Sequence, residues 1–409
     1  MMISKRGIGK MMRSRILVGL ALAAFLTTAL WGGEAKPAVK DSGTSFAADA
    51  VKPYIDSGEC PGAISVFYKN GMQETACLGY ADVARKVPMS LDRTFMQCSQ
   101  TKGFCGVTVA ILVEEGKISL DDPISKYLPE FSTLYVAKKG KDGKVVRVPA
   151  KNAPTIRMVM CHMGGFVTDI PTKNKRGWPG IALRDAAREA AALPLLYEPG
   201  TKIKYSNTGI DVAAAVVEVV TGKPWDVFLK ERVLDPLGMT DTTFNPTDEQ
   251  LSRSISMYDV AEGKPAKFCA FRKKMPLPHN GPHIHPSAGA GLWTTVNDQL
   301  KFYKMLMNLG VGDNGVRILK EDTVKKLLAT SSRPAKSKSP YSLGLVVNYK
   351  QGTMGHSGAW KTYCQVNWKK KELKLWAVQQ WHANKVKVPW FTAWNAAADK
   401  FFAAMSEQK

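Results

Sequence analysis

The chain has 409 residues, with 57 Lys and Arg against 35 Asp and Glu and a formal net charge of +22. That length exceeds a single small core. The basic clusters Lys138-Lys139-Gly140-Lys141, Lys173-Asn174-Lys175-Arg176, Arg272-Lys273-Lys274 and Lys369-Lys370-Lys371 are scattered and lack interleaved aromatics, so no nucleic-acid fold is indicated and only nonspecific attraction to anionic surfaces follows from the charge.

In chain order, Lys5, Arg6, Lys10, Arg13 and Arg15 precede an apolar run from Ile16 to Trp31, with Gly33 and Ala35 at suitable −3 and −1 positions. This is the layout of a secretory signal peptide over 1–35. The run is short for a membrane span, which needs ~20 residues, so cleavage and a secreted or periplasmic protein are expected, with no stable span afterwards. Removing five basic groups and Glu34 lowers the charge from +22 to +18. Residues 36–44 read as a linker, and the first helix runs from Ser45 to Ser57. Strands Ala63 to Tyr68 and Gln73 to Tyr80 flank the hairpin turn Asn70-Gly71, which places Cys77 opposite Ile64 rather than Cys60. Seven cysteines in an exported chain leave at least one unpaired. Their spacing dictates no bridge, and Cys98 and Cys105 read as small buried apolar residues.

Ser99-Gln100-Thr101-Lys102 stands directly before a helical pattern from Gly103 to the glycine stop at Gly116. Residues three apart share a helix face, so Lys102 reaches the Ser99 oxygen. An amine there accepts the serine proton if burial lowers its pKa; the plain alternative is a capping serine beside a solvated lysine. The lysine-rich stretch Ala137 to Asn152 reads as an inserted hairpin or a mobile loop. Tyr205-Ser206-Asn207 opens a second helix, Thr208 to Gly222, with Gly222 as its C-cap. Here too a plain reading stands beside the functional one: a packing tyrosine and a capping asparagine. The segment His279 to Pro286 holds three of the six histidines, but no carboxylate or cysteine set at a metal-binding spacing accompanies them, so no metal site and no cofactor are expected. His356-Ser357-Gly358 then falls between two strand-like runs, Tyr341 to Tyr349 and Tyr363 to Trp368.

Taken together, Ser-x-x-Lys, Tyr-x-Asn and His-x-Gly in this order resemble the serine hydrolases typified by class C β-lactamases, D-alanyl-D-alanine carboxypeptidases and their esterase and D-aminopeptidase relatives. Val113 to Pro129, Glu198-Pro199-Gly200, Leu234 to Met239, and Ala290 to Thr295 with Asp298 also fit, so the resemblance runs from about Pro61 to the C-terminus. It implies an α+β fold, an α/β sandwich in which both chain ends build one antiparallel sheet. Strands 63–68, 73–80, 343–349, 362–368 and 373–380 would lie under a C-terminal helix from Trp390 to Met405. A mostly helical subdomain, about 103–333, would complete a single catalytic domain over 45–409, with the site in the cleft between.

The resemblance also implies the chemistry. Ser99 attacks a carbonyl to give an acyl-enzyme. Tyr205, its phenol drawn down by Lys102, serves as general base and then protonates the leaving group; whether tyrosine or lysine is the principal base stays open. Asn207 bonds Lys102 and the substrate. The backbone N–H groups of Ser99 and Ala359 form the oxyanion hole, and Gly358 allows close approach of the strand. Two departures bear on substrate. Most efficient β-lactamases carry lysine where His356 stands; histidine gives a weaker, pH-dependent pull on a carboxylate, so an ester or an N-terminal D-residue amide is expected ahead of a β-lactam. Lys361 could restore that charge only by turning inward, and a solvated lysine is the expected arrangement. Second, Cys161-His162-Met163-Gly164-Gly165-Phe166 replaces the family's His-Thr-Ser-Gly loop, leaving His162 a structural role. The competing reading is a slowly acylating sensor that holds cell-wall fragments in the same pocket.

Overall fold

The computed structural model describes residues 45–171, 181–269, 285–328, 334, 339–381 and 388–407. The expected signal peptide and linker, the clusters at 173–176 and 272–274, and His279 and His283 lie outside these residues.

Strand Gly62–Lys69 is apolar on both faces. Ile64 and Val66 enter one buried cluster, and Ala63 and Phe67 another. A strand buried on both sides reads as a continuous apolar run and needs a layer on each face. It pairs antiparallel with Met72–Asp82 through the Asn70-Gly71 turn, in the register that sets Ile64 opposite Cys77, and on its other edge with Glu372–Ala377. The sheet has eight strands in the order Tyr341–Ser342, Leu345–Asn348, Thr353–Ser357, Tyr363–Asn367, Glu372–Ala377, Gly62–Lys69, Met72–Asp82 and Val87–Pro88. Both chain ends therefore build one antiparallel sheet.

The outer face carries helices Phe46–Asp56 and Pro389–Glu407. Trp394 packs 5.5 Å from Phe67 and 5.3 Å from Trp376 between ring centroids, and its indole N–H donates to Ser65 Oγ at 2.7 Å. A buried tryptophan of this kind is worth about 3–5 kcal/mol against alanine. The first helix has Ser45 as N-cap and Ser57 as C-cap, as its sequence indicates. The inner face packs against helices Thr101–Glu114 and Val296–Met307, where Phe104 stacks on Phe302 at 3.7 Å. Helix Asn207–Thr221 lies against Thr101–Glu114.

Four expectations are refined. The run 343–349 is not one strand, because Leu343 (φ 44) and Gly344 (φ 76) turn between two short ones; the cause is the nucleophile helix, whose Lys102 carbonyl lies where any Gly344 side chain would stand. His356 and Ser357 sit within strand Thr353–Ser357, paired opposite Cys364 and Tyr363, rather than in a connection between strands. The run 373–380 breaks after Ala377, where Gln379 donates to the Met96 carbonyl and Gln380–Trp381 joins Tyr258–Ala261 and Lys264–Phe268 in a small second sheet. Finally, the lysine-rich insertion is an ordered hairpin, Tyr135–Lys139 with Val145–Pro149.

Candidate active site

The nucleophile turn comes first. Cys98–Gln100 forms a 3₁₀ turn leading into helix Thr101–Glu114, two residues earlier than the apolar pattern alone indicates. Cys98 adopts φ 52, a left-handed conformation costly for a side-chain-bearing residue and frequent at functional turns. Buried side chains hold the turn: Thr101 Oγ1 donates to the Cys98 carbonyl at 2.7 Å and accepts from Leu292 N–H at 3.2 Å. The Gln299 amide donates to Gln97 and Gln100 at 3.0 and 2.7 Å. Lys102, on the first turn, is fully buried. Its Nζ donates to Ser99 Oγ at 3.2 Å, Asn207 Oδ1 at 2.6 Å and the Gly289 carbonyl at 2.5 Å; the solvated-lysine alternative is thereby excluded.

The second motif supplies the facing wall. Ser206, not Asn207, caps helix Asn207–Thr221, its hydroxyl accepting from Gly209 N–H. The Asn207 side chain is thus released for Lys102, and its amide nitrogen donates to Asp169 Oδ1 at 2.7 Å, which fixes the amide orientation. The Tyr205 ring lies beneath Lys102, 4.6 Å from Nζ to the centroid, and its hydroxyl is hydrogen-bonded with Ser99. His162 lies tilted against Tyr205, with ring centroids 4.4 Å apart, and accepts from Ser206 N–H at 3.2 Å. It braces the tyrosine, in keeping with a structural role.

Electrostatics assign the groups differently from the expectation for tyrosine. Burial drives the Lys102 ammonium down to about 7, opposed chiefly by the Asp211 and Asp169 carboxylates. Burial likewise pushes the Tyr205 phenol well above its ordinary value, against the Ser99 hydrogen bond. The phenol is therefore not drawn down by the lysine: at the high pH where the phenol would ionise, an amine that titrates at about 7 has already lost its charge.

The third motif approaches from the sheet. A Cβ on Gly358 would lie 2.5 Å from the Gln97 carbonyl and 3.2 Å from Cys98 Cβ, so this glycine lets the strand end touch the nucleophile turn. The backbones of Trp360 and Ala359 hydrogen-bond Cys98, whose thiol burial raises to about 12; Ala359 is thereby placed beside the residue preceding Ser99. His356 is 6% exposed, with Nδ1 2.6 Å from the Ser357 carbonyl. Burial lowers its pKa to about 3, as for His162, so it stays neutral across the physiological range and the expected pH-dependent attraction is absent. Lys361 is half-buried in the turn beyond, its ammonium lowered by burial, rather than a fully solvated lysine.

Three neighbours of the site were not singled out from sequence: the Gly289 carbonyl, Asp169 and Asp211. Only Asp211 left a signal, standing four residues after Asn207 on one helix face. Within the described residues, the 279–286 histidine cluster retains His285, which lies 3.4 Å from Asp211. Cys60, Cys77, Cys98, Cys105 and Cys364 are free thiols.

Known proteins resemble this chain in sequence and in fold. A family model described as Beta-lactamase matches residues 47–394. Protein Rv1367c of Mycobacterium tuberculosis is 30% identical over 283 residues, 68% of this chain and 69% of that protein. Protein flp of Staphylococcus aureus is 25% identical over 74% of this chain and 56% of its own length. Among solved structures, EstCE1, a hydrolase with promiscuous acyltransferase activity, superposes with a TM-score of 0.67 at 21% identity, covering 86% of this chain and 97% of the other. The simvastatin synthase LovD of Aspergillus terreus gives 0.71 at 18% identity, covering 88% and 97%. With the Ser99–Lys102–Tyr205 arrangement set in this fold, the chain belongs to the β-lactamase family of serine hydrolases.

Proposed function

We propose that the protein is an exported acyl-serine hydrolase of esterase type, acting on esters, or on amides such as those of D-residues, that carry no carboxylate beside the scissile carbonyl. The observation that carries this reading is His356. Buried and neutral, it stands where a fixed cation would otherwise select a carboxylate. The likeness to EstCE1, a hydrolase with promiscuous acyltransferase activity, supports an acyl-transferring site.

Neutral Lys102 takes the Ser99 proton while Asn207 Oδ1 and the Gly289 carbonyl hold its two N–H groups. Ser99 Oγ attacks the carbonyl carbon, and the N–H groups of Ser99 and Ala359 receive the oxyanion. Tyr205, kept protonated by burial, donates its proton to the departing alkoxide or amine and takes back the one that Lys102 accepted, which leaves the phenol protonated and the amine neutral again. A water then repeats the sequence against the acyl-enzyme, with Lys102 again accepting the proton, and releases the acid.

Fluorophosphonate labelling of wild type and Ser99→Ala, followed by a screen of short-chain esters, D-amino-acid amides and nitrocefin, tests this. Labelling that requires Ser99, and steady turnover of esters well above nitrocefin, are expected. Nitrocefin turnover matching that of esters would overturn the substrate class, and a burst without steady state would point to an acylating sensor.

A further inference from the structure

Asp211 takes no part in the steps above, yet it is tied to the proposed base through a single residue. It follows Asn207 by four positions on helix Asn207–Thr221 and is 9% exposed. Its carboxylate accepts the Gly289 N–H at 3.0 Å and the Ser287 hydroxyl at 3.2 Å, with His285 Nε2 at 3.4 Å. The Gly289 carbonyl in turn accepts from Lys102 Nζ at 2.5 Å. Sterics reinforce the arrangement, since a Cβ on Gly289 would fall 2.8 Å from Asn207 Cβ. One carboxylate therefore holds, by its N–H, the residue whose C=O holds the amine.

We propose that Asp211 is a positioning residue for Lys102, acting through the Ser287–Gly289 segment to aim the amine lone pair at the Ser99 hydroxyl. A neutral amine has two N–H groups and one lone pair. With Asn207 Oδ1 and Gly289 O occupying the N–H groups, the lone pair is left for Ser99. If the Gly289 carbonyl drifts, Nζ turns and the proton transfer loses its alignment; misplacement on the ångström scale costs up to ~100-fold in rate. The Asp211 charge has a second effect, because it is the largest influence opposing the fall of the Lys102 pKa. The other groups facing the amine are Asp169 from the loop before the helix, Cys98 and Cys105 from its own turn and helix, the Tyr205 phenol, and the neutral His162 and His356. None of them touches Gly289 by a hydrogen bond in the described structure. This inference rests on the acyl-serine reading of Ser99 and Lys102.

The test is the pH dependence of the rate of fluorophosphonate labelling on the full chain. Asp211→Asn keeps the shape and drops the charge. Its rising limb, set by proton loss from Lys102, should move to lower pH by about 0.5 or more, and its plateau should fall about tenfold. Asp211→Glu keeps the charge but alters the reach, so its limb should stay in place while the plateau falls. Asp211→Ser, also uncharged, should show the same limb shift as the Asn variant and replaces it if that variant does not fold. An uncharged variant whose limb superimposes on wild type overturns the proposal, because a merely structural role lowers the plateau without moving the limb. Failure of wild type to label, or labelling that survives Ser99→Ala, sinks the acyl-serine reading instead.

Discussion

At Lys102 full burial works against three close acceptors. Loss of hydration favours the neutral amine, and the carboxylates of Asp211 and Asp169 favour the ammonium; the balance falls at about 7. For a group whose neutral form is the working form, activity rises with pH. We expect kcat/KM on a neutral ester to climb through about pH 7 as one proton is lost, with no inflection from His162 or His356, which are already neutral above about 3. Lys102→Ala and Lys102→Arg should both lose roughly 1,000-fold in kcat/KM. Arginine fails because a guanidinium does not give up its proton in this range. Retention of most activity by the arginine variant would remove lysine from the role of base. Tyr205, held protonated, is fitted to act as an acid. Tyr205→Phe should lower kcat/KM on an alkyl ester about 100-fold, and on a p-nitrophenyl ester much less, since p-nitrophenolate leaves without a proton. Equal losses on the two substrates would place the phenol in the attack step.

Helix Thr101–Glu114 carries Lys102 and follows directly on the turn that carries Ser99, and it lets the sheet edge come close. A Cβ on Gly106 would stand 1.9 Å from the Leu343 carbonyl, and one on Gly103 2.7 Å from a Leu345 methyl. Gly106→Ala should therefore destabilise the fold by about 1–3 kcal/mol through overpacking, read as a lower midpoint in urea. An unchanged midpoint would mean that the 343–344 turn yields freely. This contact explains what could and could not be read from the chain. The shared face of Ser99 and Lys102, the Gly222 C-cap (φ 68) and the Asn70-Gly71 register all follow from local residue chemistry and were legible, whereas the start of helix Thr101–Glu114 and the Ser206 cap were not. The turn at Leu343-Gly344 was not, because it answers to a helix more than 200 residues earlier. The Gly289 carbonyl was equally hidden, since a backbone oxygen carries no residue type. For His356 the residue was visible and its neutrality was not, because its low pKa comes from burial supplied by the assembled sheet.

Across the whole molecule, the catalytic arrangement sets stability against function. An uncharged lysine in the core is a stability liability wherever the unfolded chain would carry the proton. The folded value is about 7 and the ordinary value 10.5, so between these limits unfolding takes up a proton and the folded state gains stability as pH rises. Below about 7 both states are protonated, and the full cost of burying the charge persists. One proton corresponds to about 1.4 kcal/mol per pH unit. Wild type should therefore gain roughly 2 kcal/mol between about pH 7.5 and about pH 9.5 relative to Lys102→Met, in which the site no longer titrates. Each protein's other groups shift alike and cancel in the difference, so urea denaturation of the pair at both pH values isolates Lys102. A difference that stays flat would mean that water reaches the amine, and with it would go the physical basis for a lysine that works as a base at neutral pH.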